Sequence, residues 1–399
     1  MMSHMEQTLF PRLEALYPEL VRVRRDLHMH PELSFEEVRT PQLIADWLER
    51  LGLEVRTGVG GRGVVATLRG GKPGRTVALR ADFDALPIHD EKDVPYRSTV
   101  DGVMHACGHD IHTAGLLGVA TVLSEVREEL SGNVVFIHQF AEEMLPGGAR
   151  SMIEDGCLEG VDVIYGAHVH SPKEYGTVGT IAGPAMAASD TFTVTVRGKG
   201  GHGASPHQAV DPVVVSAHLI LALQSIVSRE TDPLSSAVVT VGSIHGGNAA
   251  NVIPEYVELK GTVRSFDPAV QDATQASLER IVEQVCAAFR AEGTLDYVRG
   301  YPATINSPAE TKRITAIAER VVGAANTYEQ APAMGGEDFA YYLQKVPGTF
   351  FFTGGRNEEL DAVFEHHHPR FDVDERAMLV TGKIFIAAVL EELAAAQAD

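Results

Sequence analysis

The sequence predicts an α/β fold: a mostly parallel sheet layered with helices, interrupted by a smaller ferredoxin-like βαββαβ domain. Three observations predict it. Short β-rich runs alternate with helix-period segments as far as residue 167. Between Gly183-Pro184 and Tyr301-Pro302 the order becomes strand, helix, strand, strand, helix, strand. Beyond Pro302 the alternation of helix and apolar strand resumes. The expected organisation is a discontinuous domain of residues 1–184 and 302–399, with residues 185–301 inserted. At about 150 residues per domain, 399 residues accommodate two or three domains.

Each element follows from its pattern. Leu9, Leu13, Leu16, Leu20, Val23 and Leu27 recur at helical spacing and predict a helix over 6–29. A second helix fits 38–51, ending at Gly52. Strands are expected at 53–57, 63–68 and 76–81, and a helix at 112–129 after a Gly-His-Asp turn. Strand 133–140, helix 147–155 and strand 161–167 complete the first segment. The insertion reads as strand 191–196, helix 208–228, strands 237–244 and 256–265, helix 268–291 and strand 295–301. Helix 308–325, strand 348–353 and helix 375–396 close the chain.

Composition narrows the function. Lys plus Arg number 33 against 54 Asp plus Glu, a net charge of −21. Such a chain lacks the surplus cations that phosphate neutralisation or a polybasic membrane anchor needs. The three cysteines, Cys107, Cys157 and Cys286, are far apart and odd in number, so no disulfide framework is expected and a cytoplasmic setting is. No apolar run is expected to reach the roughly 18 residues of a membrane span. MMSHMEQTLFPRL has no basic stretch followed by an apolar one, so no signal peptide is expected.

Two glycine-rich motifs mislead. Gly58-Val-Gly60-Gly-Arg-Gly63 matches G-x-G-x-x-G, but a β-like run follows it where a dinucleotide site needs a helix. Gly198-Lys-Gly-Gly-His-Gly lacks phosphate-loop spacing, and neither G-x-S-x-G nor H-E-x-x-H occurs.

Five segments carry metal-type ligands in loop-like context: Asp82-Phe-Asp84, Met104-His105-Ala-Cys107-Gly108-His109-Asp110-Ile-His112, Ala-Glu142-Glu143, Gly166-Ala-His168-Val-His170 and Glu365-His366-His367-His368-Pro369. Singly, each has a plain reading. His105, His112, His138 and His170 suit the core or a supporting role, and Cys107 suits a small buried hydrophobe. Glu142-Glu143 suits a solvated loop, and His366–His368 a surface triplet. Their recurrence at successive strand ends points instead to a metal site, because open α/β sheets build sites there and core packing does not explain the pattern. Adjacent residues on a strand face opposite ways, which would separate the roles of Glu142 and Glu143.

These segments, with Gly-Gly-His202-Gly-Ala-Ser-Pro-His, Gly-Gly-Asn248-Ala-Ala-Asn251-Val-Ile-Pro and Gly335-Gly336-Glu337-Asp338-Phe, resemble the M20 metallopeptidase family. The nearest branch is the aminoacylase-like amidohydrolases: hippurate, N-acyl-amino-acid and auxin-conjugate hydrolases. The likeness runs in order from about Arg24 to Glu375. It implies a metallopeptidase-type catalytic domain with an inserted lid and dimerisation domain. It implies two divalent ions per subunit (Zn, Mn, Co or Ni) on Cys107, His109, Glu143, His168 and His367, with His366 the alternative to His367. Glu142 would be the general base, with Asp84 and Asp110 as carboxylates orienting ligands. Other branches carry a histidine where Asp82 stands, so the role of Asp82 is open. A thiolate ligand further implies a low-pKa Cys107 thiol once metal is removed. His202 would be an oxyanion donor, Asn251 and Arg264 the holders of the substrate carboxylate, and Gly336 part of the acyl pocket. The implied activity is hydrolysis of a small-molecule N-acyl amino acid by a homodimer, with His202 serving the neighbouring subunit. A di- or carboxypeptidase, or a binding protein that retains the fold, are the alternatives.

Overall fold

The computed structural model describes residues 3–395. They form two compact units. One comprises residues up to Ala185 with Ile305–Ala331 and Asp338 onward; the other comprises Met186–Thr304 and Pro332–Glu337. The short segment Pro332–Glu337, which carries Gly336, therefore packs with the inserted unit although it lies outside residues 185–301.

The first helix, His4–Met29, starts at a capping box in which the Ser3 hydroxyl accepts the Glu6 N–H and the Glu6 carboxylate accepts the Ser3 N–H. Its leucines are buried, and so is Arg24. Eight strands form the large sheet in the order Glu54–Val59, Gly63–Arg69, Ser131–Gln139, Lys72–Asp82, Val163–Glu174, Gly348–Arg356, Val178–Thr180, Thr327–Glu329. From Ser131–Gln139 to Gly348–Arg356 neighbouring strands run parallel. Parallel pairing aligns strand C-termini at one edge, and Asp82 sits in register with Gln139 there. Phe136, Tyr165, Phe350 and Phe351 are almost wholly buried on these strands. Each such side chain contributes about 1.5–3 kcal/mol by burial, which stabilises the sheet whose edge carries the polar groups.

Three elements depart from expectation in ways that matter to the site. Helix 112–129 instead begins at His109 and ends at Ser124, so Cys107 and Gly108 lie directly at its N-terminus. Strand 161–167 runs from Val163 to Glu174, so His168 and His170 lie inside the strand. Ser131–Gln139 stops three residues before Glu142, so strand alternation does not set the directions of Glu142 and Glu143. The segment around Gly58–Gly63 is the turn between two antiparallel strands, as its β-like continuation predicts.

The inserted unit is a four-stranded antiparallel sheet, in the order Ala237–His245, Tyr256–Ser265, Ala188–Arg197, Glu292–Tyr301. Helices Pro212–Ser225 and Pro268–Ala288 begin at Asp211 and Asp267, whose side chains accept backbone N–H groups at 2.9 and 2.7 Å, with proline next in the chain. Val215, Leu219, Leu223 and Ile226 join Phe192, Val194 and Leu259 in its core. Pro212–Glu230 is long and apolar enough, on average, to pass for a membrane span. Polar residues such as His218 and Gln224 interrupt it, which is why no continuous apolar run is visible in the sequence.

Candidate metal centre

Gly108 shapes the first part of the site. Its φ is +101°, and a Cβ there would stand 2.4 Å from Val169 Cγ1. Only glycine satisfies both constraints, and the turn it makes sets Cys107 and His109 close together.

His109 Nδ1 lies 3.0 Å from Asp84 Oδ1. The other Asp84 oxygen accepts the Ser34 hydroxyl at 2.7 Å and the Glu143 N–H at 2.9 Å. The ring is thereby turned so that buried Nε2, which has no hydrogen-bond partner, faces carboxylates. It lies 3.8 Å from Glu143 Oε1, 4.0 Å from Glu142 Oε2 and 3.8 Å from Asp82 Oδ2. Burial opposes charge on this imidazole, yet Asp82, Asp84 and Glu143 raise its pKa to about 10. A field that holds a proton so firmly also suits a divalent cation.

His168 Nε2 stands 3.3 Å from Cys107 Sγ, and His168 Nδ1–H donates to the Val169 carbonyl at 2.6 Å. Burial, with the nearby His112 and His366 rings, holds His168 neutral, far below the ordinary histidine pKa. Its Nε2 lone pair therefore faces the sulfur. His367 has a left-handed backbone, φ +65°, fixed by its N–H donating to the Ala106 carbonyl at 2.8 Å. Its Nε2 is 3.3 Å from Glu143 Oε1. His366 Nε2 instead accepts the Ser171 N–H at 3.2 Å, and burial lowers its pKa to about 3. Of the two histidines, only His367 faces the other donors.

The donor atoms of Cys107, His109 and His168 lie within 4.8 Å of one another. So do those of Cys107, Glu143 and His367, and those of His109, Glu142 and Glu143. Thiolate, imidazole and carboxylate around an orphaned ring nitrogen fit divalent transition metals.

Two expectations are corrected here. Asp110 orients no ligand ring; its Oδ2 pairs with buried Arg24 at 2.9 Å and with His28 Nδ1 at 2.7 Å, anchoring the helix start. Cys107 is partly buried, and burial together with Glu143, Glu142 and Asp82 pushes its thiol pKa well above the usual value, so a low-pKa free thiol is not formed. Sequence reasoning also missed Arg80, which donates to Asp82, to Gln139 at 2.9 Å and to Asp338 at 3.0 Å while fully buried. Its signal was an arginine inside an apolar strand, two residues before an aspartate on the same face.

The remaining predicted residues lie in the inserted unit. His202 pairs in register with Val252, beside Asn251, whose carbonyl accepts the Gly203 N–H at 2.8 Å. His202 Nδ1 accepts the Ala204 N–H at 3.0 Å, so the proton resides on Nε2. Arg264 is opposite Ser189 and donates to the Asp190 and Val263 carbonyls at 3.3 and 3.0 Å. Gly336 packs on Ser189, where a Cβ would come within 2.8 Å, so Gly336 and Arg264 share one end of the sheet.

Residues 78–391 match the model of peptidase family M20/M25/M40. YhaA of Bacillus subtilis (strain 168), whose name describes an amidohydrolase, is 50% identical over 97% of this chain and 98% of its own. The N-acyl-L-amino acid amidohydrolase of Geobacillus stearothermophilus is 44% identical over 72% of this chain and 78% of its own. The crystal structure of Bacillus subtilis YXEP, a dinuclear metal-binding peptidase of the M20 family, superposes with a TM-score of 0.83 at 36% identity, covering 96% of this chain and 99% of that one. With a family match across most of its length and relatives alike end to end, the chain belongs to peptidase family M20.

Proposed function

We propose that this protein hydrolyses the amide bond of N-acyl amino acids, releasing a carboxylate and the free amino acid. The observation that carries the reading is buried His109 Nε2, facing Glu142 and Glu143 with Cys107, His168 and His367 around it. Cys107, His109, Glu143, His168 and His367 would hold two divalent ions, a number supported by the dinuclear relative. Bound there, the ions supply a water acidified toward neutrality and a clamp on the scissile carbonyl. Glu142 takes the water proton and passes it to the departing amine nitrogen. His202 Nε2–H donates to the tetrahedral oxyanion. Asn251 and Arg264 hold the substrate carboxylate, the latter by its planar guanidinium, and Gly336 leaves room for the acyl group.

The helix Pro212–Ser225 exposes Val213, Val214 and Leu221 opposite its buried face, which supports a homodimer through the inserted unit. A thiol ligand suits a reducing cytoplasm. Mixed sulfur, nitrogen and oxygen donors accept Zn, Mn, Co or Ni.

The test assays hippurate, N-acetyl amino acids and dipeptides side by side on metal-loaded enzyme. Turnover of the acyl amino acids is expected. Dipeptide hydrolysis alone would favour a peptidase, and binding without turnover a non-enzymatic role.

A further inference from the structure

We infer that Asp82 and His112 are not metal ligands but positioning residues for His168, acting through the backbone of Val169. The inference rests on the metal-site reading and assigns the role left open for Asp82. Asp82, His109 and His112 bring donor atoms within 4.8 Å of one another, so a third ligand set is the competing interpretation. Their hydrogen bonds argue against it. The Val169 N–H donates to His112 Nε2 at 2.9 Å, so that nitrogen is the acceptor and the ring proton sits on Nδ1. That Nδ1–H donates to Asp82 Oδ1 at 2.6 Å. Both ring nitrogens are spent, and no lone pair remains for an ion. Both Asp82 side-chain oxygens are likewise engaged, Oδ1 by His112 and Oδ2 by the Arg80 guanidinium at 2.6 Å, and that buried positive charge opposes a further cation on the same carboxylate.

The chain of contacts ends at the metal centre. Val169, gripped at its N–H by His112, presents its carbonyl to His168 Nδ1–H at 2.6 Å. This fixes both the tautomer and the rotation of His168, leaving Nε2 toward Cys107 at 3.3 Å. The His112 ring also packs edge-on against His168, centroids 4.5 Å apart. A metal-binding histidine commonly has its second ring nitrogen held by a carboxylate or carbonyl. Here the residue that offers the carbonyl is itself held at its N–H by the Arg80–Asp82–His112 relay.

The experiment titrates Co(II) into metal-free wild type, His112→Phe, His112→Gln, His112→Asn and Asp82→Asn against a competing chelator. It reads stoichiometry, affinity and the cobalt ligand-field and thiolate bands, with circular dichroism as the folding control. Wild type should take two ions. His112→Phe should keep that capacity but bind one ion about 10–100-fold more weakly, with shifted bands. Glutamine can still accept the Val169 N–H and should recover most of the loss, whereas asparagine, too short to reach it, should not. Wild-type affinity and bands in a folded His112→Phe protein would overturn the inference. So would Asp82→Asn losing a whole ion while His112→Phe retains both, since Asp82 would then be a ligand. If His112→Phe does not fold, the Gln and Asn variants decide: identical behaviour overturns the relay. Wild type taking up no cobalt would instead sink the metal reading beneath it.

Discussion

The carboxylate of Asp84 joins two functional groups that are far apart in sequence: Oδ1 lies 3.0 Å from His109 Nδ1, and Oδ2 accepts the Glu143 N–H at 2.9 Å. One buried side chain thus sets both a ring and the loop carrying the paired glutamates. Asp84→Asn keeps the shape but loses the charge, and metal affinity should fall about 10–100-fold. Chelator competition on the purified variant measures it, and unchanged affinity would refute the role.

Removing metal with a chelator should abolish activity, and a divalent ion should restore it, because the donors converge on groups that need a cation. Full turnover by protein shown to be metal-free would contradict the mechanism.

Glu142→Gln should retain metal yet lose about 10²–10⁴-fold in kcat, the usual worth of a general base. Glu143→Gln should instead lower metal occupancy, since Glu143 Oε1 faces both His367 and His109. Metal analysis alongside kcat separates the two, and reversed phenotypes would exchange the assignments.

His202→Ala should lower kcat by about 10²–10³ with metal content intact, the scale for one oxyanion donor. Mixing it with Glu142→Gln under conditions of subunit exchange tests whose site His202 serves. A donor acting across the dimer leaves one intact site per mixed dimer, and activity returns. No recovery despite proven exchange would mean that His202 works within its own chain, or not at all.

His138 is wholly buried, and burial alone lowers its pKa to about 3. Its folded pKa is depressed, so the stability it contributes is present above about pH 6.5 and is lost as pH falls toward 3. Each pH unit in that window costs about 1.4 kcal/mol, because unfolding takes up a proton that the folded state refuses. His138→Gln should therefore lose about 2 kcal/mol less than wild type between pH 6.5 and 5, measured by urea unfolding of metal-free protein. Parallel pH dependence in both proteins would show that His138 titrates freely.

Much of this molecule was legible in one dimension, because periodicity and local chemistry are local properties. Alternating strands and helices, then βαββαβ, marked the α/β class, and the Cys107-Gly-His109 turn is explained by one glycine's freedom. Chain order also marked the lure at Gly58–Gly63, since a strand follows it. The tertiary structure decided what depends on partners distant in sequence. Whether His366 or His367 turns toward Glu143 depends on where Ser171 and Ala106 place their backbone groups. Sequence suggests that Asp110 steadies a ligand ring, but packing delivers Arg24 and His28 to it instead. The raised pKa of Cys107 follows from burial and from three carboxylates, Glu143, Glu142 and Asp82, that folding brings beside it. Sequence names the donor types, whereas hydrogen-bond direction and burial, which fix protonation and tautomer, exist only once the chain has folded.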